Sequence, residues 1–251
     1  MTKEEVLKSL SVPLTAPAII PGGRYHFRNR EYVYIVYETD PDILRKVVPE
    51  PLELSGPPLV RFEIMKMPDT TGLGSYCECG QVIPVTFQGE RGDYLHMMFL
   101  DDFAATAAGR ERSGYPKKIG FPELIVDSET LIGTCEVGKT RQRVATATMT
   151  YKMLPMDHEQ AVKVLGDPYY LLKLQINYDG KLRIAEIVRC QTTQIEILEA
   201  YTGKARLQLF ENVYAPMADL PVRKIVSCSH IIANVYLDPG KKVYDYLDDV
   251  K

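Results

Sequence analysis

Apolar and polar residues alternate with a period of two along much of this chain. The pattern is clearest at residues 32–37, 59–65 and 144–151, where β-branched and aromatic side chains are frequent. Successive side chains of a strand point to opposite faces, so this period predicts half-buried strands. Further strands are predicted at 81–87, 93–100, 124–137, 170–177, 184–198, 205–210 and 224–237.

Helical patterning is confined to short segments. A capping-box pattern at residues 2–5 predicts a helix that ends near Leu10. Asp40 and Pro41 predict the start of a second helix, with proline at its first position, and Pro49 predicts its end. Two more short helices are predicted at 104–112 and 158–164.

Strands therefore dominate the predicted elements, and strand and helix do not alternate. Such a chain is expected to be mainly β (α+β), with a largely antiparallel sheet that closes into a barrel or stacks as a sandwich. A doubly wound parallel fold is disfavoured because its βαβ rhythm is missing. No internal repeat, low-complexity run or long linker divides residues 1–251, so we expect a single domain.

Composition and charge narrow the possible functions. Hydrophobic residues make up 45% and charged residues 25% of the 251 residues, as in an ordinary folded protein with a sizeable core. The net charge of −3 supplies no basic field for nucleic acid or an anionic membrane. No apolar run approaches the roughly 18 residues of a transmembrane helix, and the first residues lack the apolar core of a secretory signal. Five scattered cysteines are read as free thiols, and a cytoplasmic protein is expected.

Several common kinds of site are missing from the sequence. The four histidines have no metal-ligand spacing, and no second pair complements Cys77 and Cys79 to complete a zinc site. Residues 72–74 lack the third glycine of a dinucleotide fingerprint. Neither a GxSxG elbow nor a P-loop is present. We therefore predict no metal site and no nucleotide cofactor.

The remaining candidate is a pair of lysines in the segment GYPKKIG at 114–120. Pro116 fixes its own φ and favours extended backbone at the residue before it. Neighbouring side chains of extended backbone point to opposite sides, so one of Lys117 and Lys118 can face a pocket while the other faces away. A solvated basic turn is the alternative for this pattern taken alone.

Two predicted extended segments also place a carboxylate among apolar neighbours, Glu63 in RFEIM and Glu78 in SYCECGQVIPV. A glutamate on a half-buried strand ordinarily faces water. One that faces inward needs a cation or a function, because an unpaired buried charge is costly.

Blocks of sequence along the whole chain, in the expected order, resemble the acetoacetate decarboxylase family. The resemblance implies a cone-like β-barrel, decarboxylation of acetoacetate to acetone and carbon dioxide through a Schiff base, and no external cofactor. It also implies a homo-oligomer built from dimers and reaching a dodecamer. The blocks are RNREYVYIVY at 28–37, KVVPEPLEL at 46–54, LVRFEIM at 59–65, GDYLHMM at 92–98, GYPKKIGFP at 114–122, VATATMTYK at 144–152 and LQLFENVYAPMADLPV at 207–222.

By this resemblance Lys117 is the Schiff-base lysine and Lys118 its cationic neighbour. The remaining site residues that it implies are the active-site carboxylate Glu78, a second carboxylate Glu63, the arginine Arg30, and Tyr115 and Met97 as apolar pocket wall.

The chemistry requires an unprotonated lysine amine that attacks the ketone of a β-keto acid. An ordinary lysine is almost wholly protonated at neutral pH, so the site must disfavour the charged form. Acetoacetate decarboxylase is itself a standard example of such activation by burial or by a neighbouring cation. We expect burial to dominate and Lys118 to be secondary. Glu78 suits proton transfer and Glu63 the orientation of a partner, while Arg30 can hold Glu78 or meet the substrate carboxylate.

Two other functions fit the same sequence. A Schiff-base aldolase or dehydratase could use the same scaffold on other keto acids, since a fold does not fix a reaction. A non-catalytic barrel that binds a small apolar ligand is the second alternative. Release of carbon dioxide would separate a decarboxylase from an aldolase, and borohydride trapping would exclude the binding protein.

Overall fold

The computed structural model describes residues 1–20 and 22–248. Strands dominate it, as the sequence predicts, and the helices are short. In chain order the elements are α1 (Lys3–Lys8), β1 (Tyr25–Glu38), α2 (Pro41–Val47), β2 (Glu53–Leu54), β3 (Leu59–Thr70), β4 (Gly74–Phe87), β5 (Glu90–Leu100), α3 (Phe103–Ser113), β6 (Lys117–Ile119), β7 (Phe121–Asp127), β8 (Thr130–Val137), β9 (Gln142–Thr150), β10 (Leu154–Pro155), α4 (His158–Gly166), β11 (Tyr169–Ile176), β12 (Leu182–Cys190), β13 (Thr192–Thr202), β14 (Ala205–Leu209), a 3₁₀ turn (Met217–Asp219), β15 (Lys224–Leu237) and β16 (Lys241–Asp245).

Most strands belong to one large sheet. Its pairing order is β10-β13-β15-β1-β3-β4-β5-β11-β12-β16, with β2 added on β4 and β6 on β5. Neighbours are antiparallel except β5 with β6 and β5 with β11, which are parallel. The described pairings form a path with two ends, β10 and β16, so closure into a cone-like barrel stays a prediction.

A smaller sheet in the order β14-β9-β8-β7 packs on one face of the large sheet. The main core fills the space between them, where Ile64 meets Gly133 and apolar side chains from both sheets are buried. A second apolar cluster lies on the opposite face of the large sheet and includes buried residues of α3 and α4, such as Ala105 and Leu165. This second face carries the candidate site.

The predicted elements agree with the observed ones in most places, with two clear errors. The predicted strand 124–137 is a hairpin of β7 and β8, which turns at Ser128 with a positive φ of 54°. The predicted strand 184–198 is two strands, β12 and β13, separated by Gln191. Neither break carries a glycine or proline, although the polar runs 127–130 and 191–194 interrupt the apolar pattern at both places. In addition, β4 begins at Gly74, well before the predicted start of that strand.

Among the described residues, none of the helices combines the length and the apolar composition required to cross a bilayer.

Candidate active site

The two lysines of the GYPKKIG segment diverge, as expected for extended backbone. Lys117 and Lys118 lie in β6, which pairs with β5 so that Lys117 is opposite Met98. Lys117 is buried at 7% exposure, whereas Lys118 is exposed. The Lys118 ammonium donates to the Tyr214 carbonyl at 3.1 Å and lies 4.4 Å from the centroid of its ring. The structure therefore places Lys118 outside the cavity that holds Lys117.

Lys117 projects into a cavity of about 50 Å³ on the second face of the large sheet. Its Nζ lies 5.1 Å from the ring centroid of Tyr115 and 5.9 Å from that of Tyr76. Strands from both halves of the chain and helix α3 contribute the wall. The lining residues are Tyr25, Phe27, Arg30, Glu63, Met65, Leu73, Tyr76, Glu78, Leu95, Met98, Ala105, Ala108, Gly109, Tyr115, Lys117, Tyr169, Thr192 and Leu237. The cavity is small and largely apolar, with four charged side chains.

Glu78 is the direct partner of Lys117. The Lys117 Nζ donates to Glu78 Oε1 at 2.7 Å and to the Ala105 carbonyl at 3.3 Å. Glu78 and Lys117 are both buried, so little water competes for this charge-assisted bond. Glu78 also lies 3.6 Å from the Nη2 of Arg30, measured at Oε2. The cavity thus joins an amine, a carboxylate and a guanidinium in one row.

A bulge in β1 explains how Arg30 reaches the cavity. The register with β15 shifts between Phe27 and Arg30, and Asn29 adopts a positive φ of 51°. A bulge interrupts the alternation of faces, so Phe27 and Arg30, three residues apart, point the same way. The guanidinium carbon then lies 4.6 Å from the Phe27 ring centroid and 4.7 Å from that of Tyr32. These rings hold the cation beside Glu78.

Glu63 lines the same cavity but is paired differently. Burial raises the pKa of the Glu63 carboxyl to about 7, although the guanidinium groups of Arg61 and Arg30 oppose the rise. Arg61 Nε lies 3.5 Å from Glu63 Oε2, whereas Arg61 Nη1 donates to Asp93 at 2.7 Å. The Glu63 carboxyl therefore gains or loses a proton near neutral pH.

Met97 is the one predicted pocket residue that the structure places elsewhere. The pairing of β4 with β5 shifts between Gln81 opposite Met97 and Val82 opposite Leu95. Leu95 and Met98 consequently face the cavity, while Met97 packs against the core on the other side of the sheet. Tyr115, the other predicted wall residue, does line the cavity.

Sequence reasoning missed several wall residues. Tyr76 lies two positions before Glu78 on β4, so the period of two would have placed it on the same face. Tyr169, Thr192 and Gly109 come from distant parts of the chain, and only the folded sheet brings them to Lys117. No local signal identifies them.

A buried amine beside a carboxylate, in a small apolar cavity with a guanidinium, is suited to condensation with the carbonyl of a small anionic substrate. The carboxylate accepts the proton that the ammonium must lose, and the guanidinium offers a partner for a second anion.

Comparisons with known proteins agree with this geometry. The family model described as acetoacetate decarboxylase (ADC) matches residues 11–247. An acetoacetate decarboxylase of Clostridium botulinum (strain Eklund 17B / Type B) is 56% identical over 247 residues, covering 98% of this chain and 99% of that protein. A structure from structural studies of acetoacetate decarboxylase has a TM-score of 0.94 and 56% identity, covering 98% of this chain and all (100%) of the other. The acetoacetate decarboxylase of Legionella pneumophila subsp. pneumophila str. Philadelphia 1 gives a TM-score of 0.89 at 40% identity, covering 96% of this chain and 98% of the other. The resemblance noted in the sequence is confirmed, and the chain belongs to the acetoacetate decarboxylase family.

Proposed function

We propose that this chain decarboxylates acetoacetate to acetone and carbon dioxide through a Schiff base on Lys117. The observation that carries the proposal is the buried Lys117 amine, 2.7 Å from the Glu78 carboxylate in a small apolar cavity. Membership of a family whose near relatives are named acetoacetate decarboxylase supports the same reaction.

Schiff-base formation begins with proton transfer from Lys117. Glu78 accepts a proton from the ammonium, and the free amine attacks the ketone carbon of acetoacetate. The carbonyl oxygen leaves as water, and the nitrogen remains as a protonated imine. Glu78 is proposed as the proton carrier for this half of the reaction because its Oε1 lies at hydrogen-bond distance from the reacting nitrogen.

Loss of carbon dioxide follows from the positive imine. The bond between the methylene carbon and the carboxylate breaks, and its electron pair moves to the iminium nitrogen to give an enamine. The enamine carbon then takes a proton, and water hydrolyses the resulting imine to acetone and free Lys117. The sequence alone suggested an orienting role for Glu63. Because Glu63 lines the cavity and burial raises the pKa of its carboxyl to about 7, it is now proposed as the acid at carbon instead.

Arg30 is proposed to have two partners in turn. Its Nη2 lies 3.6 Å from Glu78, longer than a strong charge-assisted bond, so the pair leaves capacity for another anion. In the substrate complex the guanidinium would meet the acetoacetate carboxylate. Tyr115 serves as apolar wall, and Lys118 acts at most through its charge because its side chain lies outside the cavity.

The large sheet is proposed to curl into the cone-like barrel that the resemblance implies. β12 and β13 lie near opposite ends of the pairing path, yet only Gln191 separates them. Consecutive Cα atoms are about 3.8 Å apart, so the chain from Cys190 to Thr192 spans less than about 8 Å. The two ends must therefore approach each other. Wall residues from both ends, Tyr169 of β11 and Thr192 of β13, support this arrangement around one cavity.

We also propose the domain organisation, the localisation, the assembly and the partners of the chain. Residues 1–251 act as a single cytoplasmic domain that needs no external cofactor, and the chain assembles into a homo-oligomer. Its partner in catalysis is a small β-keto acid, and neither nucleic acid nor membrane takes part.

Borohydride trapping tests the function. Incubation of the wild-type protein with acetoacetate and sodium borohydride should abolish activity and leave an isopropyl adduct on Lys117, detected by peptide mass. Carbon dioxide and acetone should be released in equal amounts without borohydride. Condensation products without carbon dioxide would instead indicate an aldolase, and neither adduct nor turnover would indicate a binding protein.

Substitutions at the two proposed catalytic positions complete the test. Lys117→Ala and Lys117→Arg should both fold and both be inactive. Alanine has no amine, and the guanidinium of arginine stays protonated, so neither forms the imine. Glu78→Gln should lose kcat by on the order of 10²–10⁴-fold if Glu78 moves protons. A loss confined to KM would assign Glu78 to substrate binding.

A further inference from the structure

Glu63 lines the Lys117 cavity and belongs to a buried row of three charged side chains, whose other two members, Arg61 and Asp93, do not line it. Arg61 stands between two carboxylates, with Nη1 2.7 Å from Asp93 Oδ2 and Nε 3.5 Å from Glu63 Oε2. The three side chains are 11%, 7% and 3% exposed, in the order Arg61, Asp93 and Glu63. The mechanism proposed above uses Glu63 but assigns nothing to the other two.

Arg61 is shared unequally between its two carboxylates. The contact with Asp93 has the length of a strong charge-assisted hydrogen bond, whereas the contact with Glu63 is too long and does not meet hydrogen-bond geometry. Glu63 Oε2 accepts no hydrogen bond from any residue that the structure describes. One guanidinium cannot neutralise two buried carboxylates, so the less well paired one is the better site for a proton.

The surroundings of Glu63 contain both signs of charge. Arg61 and Arg30 favour its ionised form, while burial and the charges of Glu78 and Asp93 favour its neutral form. The charged and titratable groups that face it are Arg30, Tyr32 and Tyr34 of β1, Arg61 of its own strand, Glu78 of β4, Asp93 of β5, Lys117 of β6 and Tyr169 of β11.

We propose that Asp93 is a positioning residue, which draws Arg61 away from Glu63 and so keeps Glu63 in the protonated form that delivers a proton to the enamine carbon. Asp93 acts through Arg61 and touches no substrate, since it does not line the Lys117 cavity. The inference rests on the proposed function. It assigns separate tasks to the two carboxylates, with Glu78 serving the nitrogen and Glu63 the carbon.

The proposal fixes the direction of a pH effect. If the neutral form of Glu63 is the acid, kcat declines as the pH rises through the pKa of that carboxyl. Asp93→Asn removes a like charge and frees Arg61 to pair with Glu63, so the pKa of Glu63 falls. The alkaline limb of the kcat profile should then move to lower pH by about one unit, with full activity kept at acid pH. The acid limb should not move.

Arg61→Gln should move the same limb in the opposite direction. Loss of the guanidinium removes the main charge that favours ionised Glu63, so the pKa of Glu63 rises and the alkaline limb moves to higher pH. A matched control is Asp69→Asn, which removes the partner of Arg28 from an exposed pair of 3.0 Å. That variant should keep the wild-type profile.

The experiment measures kcat from carbon dioxide release across pH for the wild type, the three variants and Glu63→Gln, with circular dichroism as a check on folding. The expected result is opposite shifts for Asp93→Asn and Arg61→Gln, and no such limb in Glu63→Gln. The wild type and Glu63→Gln suffice for a decision where the other variants do not fold. If the alkaline limb of the kcat profile is the same in these two proteins, the proposal is overturned. In Asp93→Asn, a uniform loss of kcat at every pH, or a shift of both limbs together, also overturns it. Wild-type turnover and the Lys117 adduct are separate readouts, so these outcomes leave the decarboxylase function intact.

Discussion

Gly109 positions the Lys117 side chain by leaving room for it, whereas Glu78 positions it through charge. Gly109 of α3 faces the lysine side chain, and a Cβ at that position would lie 2.8 Å from Cδ, 2.9 Å from Cε and 3.2 Å from Nζ. Neighbours at such distances must move. The absence of a side chain at Gly109 is therefore a condition for the position of the Lys117 amine.

Gly109→Ala is expected to lower kcat while leaving the fold stable. Alanine favours a helix by about 0.5–1 kcal/mol over glycine, so stability should not fall through the backbone. Displacement of the amine by about 1 Å can cost on the order of 10²-fold in rate. The measurement is kcat together with the melting temperature. Gly166→Ala is the control, because its Cβ would meet only Ile195 Cδ1 at an ordinary 3.7 Å. Wild-type kcat in Gly109→Ala would contradict this account.

Lys118→Asn is expected to change kcat less than about threefold at neutral pH. The Lys118 ammonium binds the Tyr214 carbonyl on the far side of β6, where water and the ring screen its charge from the cavity. Steady-state rates of carbon dioxide release give the comparison, with Lys117→Ala as the inactive reference. A loss greater than about tenfold would show that the charge of Lys118 matters to the reacting amine despite its orientation.

Part of the site could be predicted from residue order alone. Pro116 and the alternation of extended backbone correctly separate the directions of Lys117 and Lys118. The two buried glutamates stand out because each lies among apolar neighbours. Met97 was predicted to line the cavity, and the structure places it on the opposite face of the sheet, because a bulge in the pairing of β4 with β5 exchanges the faces. Such a bulge depends on cross-strand register rather than on local composition.

At the scale of elements, the N-terminus of helix α3 helps to position Lys117. Asp102 is the N-cap of helix α3, and its Oδ1 accepts a hydrogen bond from the Ala105 amide at 2.6 Å. The carbonyl of Ala105 in turn accepts from the Lys117 Nζ at 3.3 Å. The N-cap therefore fixes the same residue that helps to hold the amine.

Asp102→Ala should lower stability by about 1 kcal/mol, as expected for loss of an N-cap, and should also lower kcat. Asp157→Ala removes the equivalent cap of α4, where Asp157 accepts from the Gln160 amide at 3.0 Å. That helix does not line the Lys117 cavity, so its variant should lose similar stability and keep kcat. Urea unfolding and steady-state kinetics on both variants give the answer. Equal kcat in the two would remove the link between the α3 cap and the amine.

The bounds of helices and strands were predictable where the sequence marks them with a capping residue, a proline or a change of period. The caps and prolines located α1 and α2, and the period of two located most strands. The joint at Gln191 carries no glycine or proline, and the threonines that follow it favour a strand, so one strand was predicted across it. This missed joint matters because β12 and β13 lie near opposite ends of the pairing order of the large sheet. The pairing of strands that are distant in sequence decides which end each strand joins, and a single sequence does not show that pairing.

Assembly is the question at the scale of the whole molecule. The resemblance implies a homo-oligomer, and the sequence at residues 225–236, which is more apolar than one buried face of a strand requires, would by itself favour a covered surface. The structure removes that argument, since β15 is paired by β13 on one side and by β1 on the other. Strand β12, which contains residues 184–188, is likewise paired by β11 and β16. These apolar runs lie inside the large sheet.

Exposed apolar side chains are found instead along the hairpin of β11 and β12. Leu174, Ile176 and Leu182 are 52%, 72% and 45% exposed, and Tyr178 at the turn is fully exposed. Such a group of exposed apolar side chains on one hairpin costs free energy in water unless another surface covers it. A second copy of the chain, in a closed symmetric assembly, would bury the same residues on both partners. The hairpin is therefore the surface on which we base the prediction of self-association.

Gel filtration with light scattering on dilute, untagged protein should give a mass that is a multiple of 28.4 kDa. Ile176→Lys should shift that mass towards one chain, because a buried ammonium without a partner is costly. Val213→Lys is the control, since Val213 is an exposed apolar residue like Ile176 but lies on a loop far along the chain from the hairpin. A stable and active wild-type species of the mass of one chain would refute self-association. If the wild type is an oligomer and Ile176→Lys has the same mass, the hairpin remains exposed in the assembly and the interface lies on another surface.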